Sequence, residues 1–452
     1  MNHTTPTNER SLRAHQAITL GLLFAAGVVN FFDRSSLSIA NTTVRSELHL
    51  SGTEMGWLLS AFSFAYGLSQ LPLIGLLDRL GTRSVLGAGL AIWSGAQLLT
   101  GLVTSFPMFI VFRILLGMGE APFYPAGVRS VREWFTDRTR GRATAIMSSS
   151  QTFGLAIAPP LLTLLMIRTG WRVMFMILGA AGLVVSALWV WLHRPRAATP
   201  YREDLVASLQ PAGLVGDANP GLRPGLGSHA PSARLDEPGT THSHAKRGAF
   251  AELIRQRTAW GMMLGFGGIN YTNWLYTAWL PGYLQQERHL SLAKSGWLAA
   301  IPFLAGAAGM LCSGFSADLW AKRGVRLTTL HRIQLVTGMI VSAGATFFVS
   351  RAGSTAEAIA GISFALFFIH FAGTSGWGYV QTVSPARLVA SMSALQNFAS
   401  FVIASAAPVL TGWFFDRTHS FTLGFVVCAS VTLLGALSYA TLAAPDGMRV
   451  AD

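Results

Sequence analysis

Twelve stretches of roughly 20 or more mostly apolar residues run along this chain, each long enough to cross the hydrocarbon core of a bilayer as a helix. They lie near 17–39, 54–77, 84–104, 107–130, 141–167, 171–193, 257–285, 292–318, 327–349, 354–380, 387–415 and 420–444. A segment surrounded by lipid must satisfy its own backbone polar groups, which an α-helix does alone. Charge is correspondingly scarce. Only 12% of the residues are charged, against about 25% in an ordinary soluble domain. So few charges cannot cover the water-facing surface of a 452-residue chain. The expected class is an all-α polytopic membrane protein. Arg10 and Arg13 precede the first stretch as they would in a signal peptide, but Asn30, Asp33 and Arg34 interrupt it and eleven more stretches follow. It reads as a first span.

One long hydrophilic stretch, 194–250, separates six spans from six. It holds Pro195, Pro200, Pro211, Pro220, Pro224, Pro231 and Pro238 without apolar periodicity, the pattern of a flexible linker. His229, His242 and His244 lie in it with neither cysteine nor regular spacing, so they read as solvated side chains. The expected division is a six-helix half over 1–193, a cytoplasmic linker over 194–250 and a second six-helix half over 251–452. With both termini cytoplasmic, the inner segments, helix ends included, carry 24 of the 33 basic residues. The outer loops carry seven: Arg45, Arg168, Arg172, Arg288, Lys294, Arg351 and Arg417. That asymmetry follows the positive-inside rule. The net charge of +13 is therefore a topology signal and not a nucleic-acid footprint. Cys312 and Cys428 both lie in apolar segments, which excludes a disulfide scaffold and a multi-cysteine zinc site.

The two halves echo each other. Asp78-Arg79-Leu80-Gly81-Thr82-Arg83 follows the second span, and Gly314-Phe315-Ser316-Ala317-Asp318 with Lys322-Arg323-Gly324 follows the eighth. Ala158-Pro159-Pro160-Leu161 with Arg168-Thr169 returns as Ala407-Pro408-Val409-Leu410 with Arg417-Thr418, at a constant offset of 249. Parallel six-helix repeats about an axis normal to the membrane are the architecture of major facilitator transporters, whose substrate site lies at the midplane between halves. The loop around Asp78, Arg79 and Arg83, and its second copy at Asp318 and Arg323, resemble that superfamily's cytoplasmic gating loop.

Four further segments resemble the anion:cation symporters within that superfamily, and bacterial sugar-acid:proton symporters of the D-galactonate and hexuronate type above all. They are Asn30-Phe31-Phe32-Asp33-Arg34-Ser35-Ser36 in span one, Phe112-Arg113-Ile114-Leu115-Leu116-Gly117-Met118-Gly119-Glu120 in span four, Trp134-Phe135 with Arg140-Gly141-Arg142 after it, and Trp279-Leu280-Pro281-Gly282-Tyr283-Leu284 in span seven. The resemblance implies a bacterial inner-membrane carrier with twelve helices. It also implies that Tyr66, Gln151, Trp377 and Asn397 line the substrate cavity.

Charges at mid-bilayer are expensive and normally functional. Here they are Asp33 and Arg34 in span one and Arg113 and Glu120 in span four. Their charges cancel, as in a network that exchanges partners. Arg113 and Glu120 are seven residues apart, on one helix face but about 10 Å apart along the axis. Two stations at different heights suit a ligand and a proton. Arg34 is the expected partner of a substrate carboxylate, because a guanidinium fork matches it bidentately. Arg113 is expected to exchange between Glu120 and the anion, with Asp33 and Glu120 carrying protons. A permanent structural salt-bridge network is the bland alternative, but such pairs stabilise poorly against apolar packing. Asn270 and Asn273, one turn apart in span seven, are expected to face the cavity and to pair with hydroxyls, while His370 among Phe367, Phe368 and Phe371 reads as packing.

Absences discriminate too. The sequence has no Walker-type phosphate loop, no nucleophile elbow and no zinc-binding His pair. Span five lacks the Gly-Pro-Gly-Gly run typical of drug:proton antiporters. The expectation is a proton-coupled importer of an organic anion, a sugar acid first, with another carboxylate or a ligand sensor as rivals. It needs no cofactor or metal beyond the coupling proton. Its partners are the anion and the lipid bilayer, and the chain is expected to be a monomer.

Overall fold

A computed structural model of the chain describes residues 6–194, 252–385, 388–443 and 448. Among the described residues its main helices are α1 (Pro6–Glu47), α2 (Gly52–Thr100), α3 (Phe106–Glu120), α4 (Phe123–Trp134), α5 (Asp137–Leu192), α6 (Arg257–Gln286), α7 (Leu292–Lys322), α8 (Leu327–Val349), α9 (Thr355–Val383), α10 (Val389–Thr418) and α11 (Thr422–Thr441). No strand occurs among the described residues. The expected linker lies outside them, apart from Arg194.

Among the described residues, eight helical segments are long and apolar enough to cross a membrane, α3 with α4 counting as one, and the bent α2 makes nine. At 49 and 56 residues, α2 and α5 would be about 75–85 Å long if straight, far more than one crossing needs. Each contains a glycine in the left-handed region, Gly81 at φ 74° and Gly170 at φ 79°, where a side chain would be strained. Reading each as two spans, and adding the almost wholly buried α6, accommodates the twelve expected segments. Large apolar side chains such as Trp191, Trp297, Leu311, Phe315 and Leu434 remain exposed on the bundle surface, as a lipid-facing surface requires.

The repeat extends into the backbone. His49-Leu50-Ser51 and His289-Leu290-Ser291 precede α2 and α7, and both histidines sit at φ 52°. Ser51 and Ser291 then cap those helices, each hydroxyl accepting from the backbone N–H three residues on, at 3.1 and 3.4 Å. A serine N-cap satisfies a donor that the first turn leaves unpaired.

The halves meet where α2 packs on α10, α5 on α7 and α1 on α6. At the face remote from the termini they touch through glycine. A Cβ on Gly412 would fall 2.1 Å from the Gly52 carbonyl oxygen, and one on Gly56 2.5 Å from that of Pro408. Small residues let membrane helices approach this closely. The same face carries the polar links. Ser38 donates to the Ala278 carbonyl at 2.9 Å, Thr42 to Gln285 at 2.6 Å and Arg45 to Gln286 at 2.7 Å. Asp416 at the end of α10 accepts from the backbone N–H groups of Gly52 and Thr53, at 2.6 and 2.7 Å, and from the Thr53 hydroxyl at 2.6 Å. Nearer the termini, one hydrogen bond among the described residues joins the halves: Asn397 Nδ2 donates to Gln70 Oε1 at 2.5 Å. The bundle is held shut at one face and joined sparsely toward the other.

Candidate functional site

The expected fourth span is not one continuous helix. Pro122 and Pro125 follow Glu120, and proline lacks the N–H that would continue the ladder, so α3 stops at Glu120 and α4 starts at Phe123. Glu120 thus stands on the last residue of α3, and Ala121 and Pro122 after it keep helical dihedrals. Its cation comes from α1. Arg34 Nε donates to Glu120 Oε2 at 2.8 Å, with Glu120 fully buried and Arg34 12% exposed. The guanidinium also lies over the rings of Phe31, Phe62 and Tyr66, 5.1, 5.1 and 4.7 Å from their centroids. An aromatic cage of this kind holds a desolvated cation through the ring quadrupoles.

Glu120 is held by Arg34, and Arg113, two turns earlier on α3, bonds elsewhere. Its Nη2 donates to Gln97 Oε1 at 3.2 Å, and its guanidinium is flanked by Phe109 and Phe175 at 5.7 Å each. Gln97 Nε2 donates to Ser36 Oγ at 2.9 Å, and Ser36 donates to the Asp33 carbonyl at 2.7 Å. Asp33 is fully buried within electrostatic reach of Glu120, Arg113 and Arg34. Neither oxygen of its carboxyl makes a hydrogen bond among the described residues. The structure therefore brings the four intramembrane charges together, but as one ion pair, one cation on a neutral amide and one bare carboxyl group.

The uncharged candidates divide. Tyr66 is buried beside Arg34 and edges Phe401 of the other half at 4.8 Å. Asn397 meets Gln70 across the halves. Asn270 donates one amide N–H to Ser400 of α10 at 2.7 Å, which ties two helices of its own half. Asn273 keeps a buried Oδ1 with no hydrogen bond among the described residues. Gln151 is half-buried on α5. Trp377 is 39% exposed and packs edge-on against Phe266 at 5.2 Å. His370 follows its packing role, its ring bonded to the Leu366 carbonyl and set against Gly306.

In the loop after the second span, Asp78 pairs with Arg129 of α4 at 2.9 Å. Arg83 donates to the Val190 carbonyl through Nε at 2.9 Å, while Arg79 is exposed. In the second copy, Asp318 and Arg323 are exposed and Arg323 lies over Trp320. The Asp78–Arg129, Arg83–Val190 and Arg323–Trp320 contacts each lie within one half. Sequence reasoning passed over Gln97, Ser36, Gln70, Ser400 and Asp416. Gln97 and Gln70 carried the same signal as the chosen residues, an amide inside an apolar span. Asp416 gave none, because a carboxylate at a span end reads as solvated.

This arrangement has counterparts. Residues 23–408 match the family model of the Major Facilitator Superfamily. The chain belongs to that superfamily. It is a multi-pass membrane transporter and not an enzyme. It is 45% identical to a probable L-galactonate transporter of Escherichia coli K12, over 94% of this chain and 88% of the relative. It is 32% identical to a probable galactarate/D-glucarate transporter of the same strain, over 93% of each, and 29% identical to a D-galactonate transporter of Escherichia coli O6:H1, over 97% of each. Among solved structures, a bacterial homologue of the human lysosomal transporter Spinster, inward-facing and occupied, superposes with a TM-score of 0.72 at 16% identity, covering 94% of this chain and 96% of that one. A D-xylose-proton symporter superposes at 0.68 and 13% identity, covering 95% and 98%. Those two likenesses speak to the fold alone.

Proposed function

We propose that this transporter imports a sugar acid, an aldonate, hexuronate or aldarate, together with protons across a bacterial inner membrane. The observation that carries the reading is the buried Arg34–Glu120 pair standing beside Asp33 and Arg113 at the junction of α1 and α3. Two guanidinium groups in a dry site suit a carboxylate substrate. Two carboxyl groups sharing those cations can each take a proton, and protonating Glu120 would free Arg34 for the anion. Tyr66, Gln70, Asn397 and Asn273 supply donors and acceptors for hydroxyls. The sugar-acid relatives point to the same class. With termini and linker cytoplasmic, the shut face is periplasmic and the chain faces inward; alternating access is then rocking of the halves.

Counterflow in proteoliposomes tests the reading, using L-galactonate, D-galactonate, galactarate, D-glucarate and a hexuronate, alongside tartrate and an aromatic acid. The expected result is exchange of at least one sugar acid and its uphill accumulation under an inwardly directed proton gradient. Exchange confined to tartrate or the aromatic acid would overturn the substrate class. Accumulation indifferent to the proton gradient would overturn the coupling.

A further inference from the structure

The chain of hydrogen bonds that ends on Arg113 can be read in only one direction. A guanidinium has donors and no acceptor, so the Gln97 oxygen must face Arg113 and the Gln97 amide nitrogen must face Ser36. Ser36 then has its own proton left for the Asp33 carbonyl, as observed. Gln97 and Ser36 are fully buried and Arg113 is 2% exposed, so water does not compete for these bonds. A neutral acceptor suits a cation that must later leave. A carboxylate would bind Arg113 far more firmly in a dry site, and one is near: Asp33, whose two carboxyl oxygens are left without a hydrogen bond among the described residues. The charged groups facing Asp33 are Arg113 and Glu120 of α3 and Arg34 of its own helix. Glu120 already holds Arg34, which leaves Arg113 as the cation able to fall onto Asp33.

We infer that Gln97 is a positioning residue for anion transport: it parks the Arg113 guanidinium on its amide oxygen and keeps it off Asp33, available to the substrate carboxylate. This rests on the anion-carrier reading, and the test separates the two. Without the amide, in Gln97→Leu, Arg113 turns to Asp33 and must be pulled from a carboxylate before it can bind substrate. L-galactonate binding, measured by calorimetry on the purified full-length protein, then weakens by roughly tenfold or more, the scale of one hydrogen bond to a charged group. KM for exchange rises with it, while kcat changes less. Adding Asp33→Asn removes the competing carboxylate and restores affinity to within a few-fold of the parent, which loss of packing alone could not do. Ser36→Ala, which only loosens the amide, gives a smaller loss in the same direction and serves if Gln97→Leu folds poorly.

A substrate-free arm uses detergent melting of Gln97→Leu, Arg113→Leu and the double variant. Non-additive losses in the cycle report the Arg113–Gln97 bond whether or not L-galactonate is carried. Should the parent neither bind nor exchange L-galactonate while the cycle shows coupling, the substrate reading falls and the parked guanidinium stands. Should the cycle be additive, or the parent exchange L-galactonate and Gln97→Leu bind it as tightly, or Asp33→Asn fail to restore affinity, the inference is overturned.

Discussion

Asp416→Ala should release the shut face without harming the fold. In the structure the Asp416 carboxylate satisfies two N–H groups and one hydroxyl in the first turn of α2, with Arg45 at 4.0 Å. These are charge-assisted bonds at the positive end of a helix dipole, and they cross from one half to the other. In isolation each would be worth about 1.5–3 kcal/mol. Asp416 is 27% exposed, however, and when the halves part, water takes over the same donors, so the latch as a whole is worth about 2 kcal/mol, reduced by screening as for other exposed pairs. That corresponds to a shift of roughly 30-fold between shut and open populations. The helix itself keeps its own cap, since Ser51 and Glu54 close a reciprocal box. Stability should therefore change little while the conformation shifts. Spin labels at Thr104→Cys and Arg351→Cys, both exposed on the shut face, in a Cys312→Ser background, would report the separation by double electron–electron resonance. The expected outcome is a broadened, longer distance distribution in Asp416→Ala. Identical distributions for parent and variant would refute the latch, because the bonds would then contribute nothing to closure.

Further outcomes follow from the geometry. Glu120→Gln should retain counterflow yet lose uphill uptake in proteoliposomes, whereas Arg34→Ala should melt much earlier in detergent because it strands Glu120, at a cost of about 3–5 kcal/mol. Gly412→Ala should fold but fail in counterflow, its Cβ meeting the Gly52 carbonyl between the halves; Gly117→Ala, whose Cβ would lie 2.4 Å from the Phe62 carbonyl within one half, should lower the melting temperature through about 1–3 kcal/mol of overpacking. Asp78→Asn breaks a pair whose partners are 37% and 58% exposed, so detergent melting should show a loss of at most about 1 kcal/mol.

Much of this protein was legible before any coordinates, and the reason is the solvent. Lipid forces backbone polar groups to pair within their own segment, so twelve apolar runs dictate helices, and the scarcity of charge marks Asp33, Arg34, Arg113 and Glu120 as the residues that matter. The six-plus-six repeat was visible in paired motifs, and part of the site's composition followed from which polar residues interrupt the spans. Partner choice was not legible. It depends on how α1 rotates against α3, which a one-dimensional pattern does not encode: Arg34 rather than Arg113 took Glu120 because helix packing brought it there. The break after Glu120 was written in Pro122, yet its use, ending a helix on a buried carboxyl group, appears only in three dimensions. Gln97, Gln70 and Asp416 acquire meaning solely from residues tens to hundreds of positions away. The membrane fixes secondary structure locally, whereas the pairing of polar groups is decided by tertiary packing, since each buried donor bonds whatever acceptor the neighbouring helix places within reach.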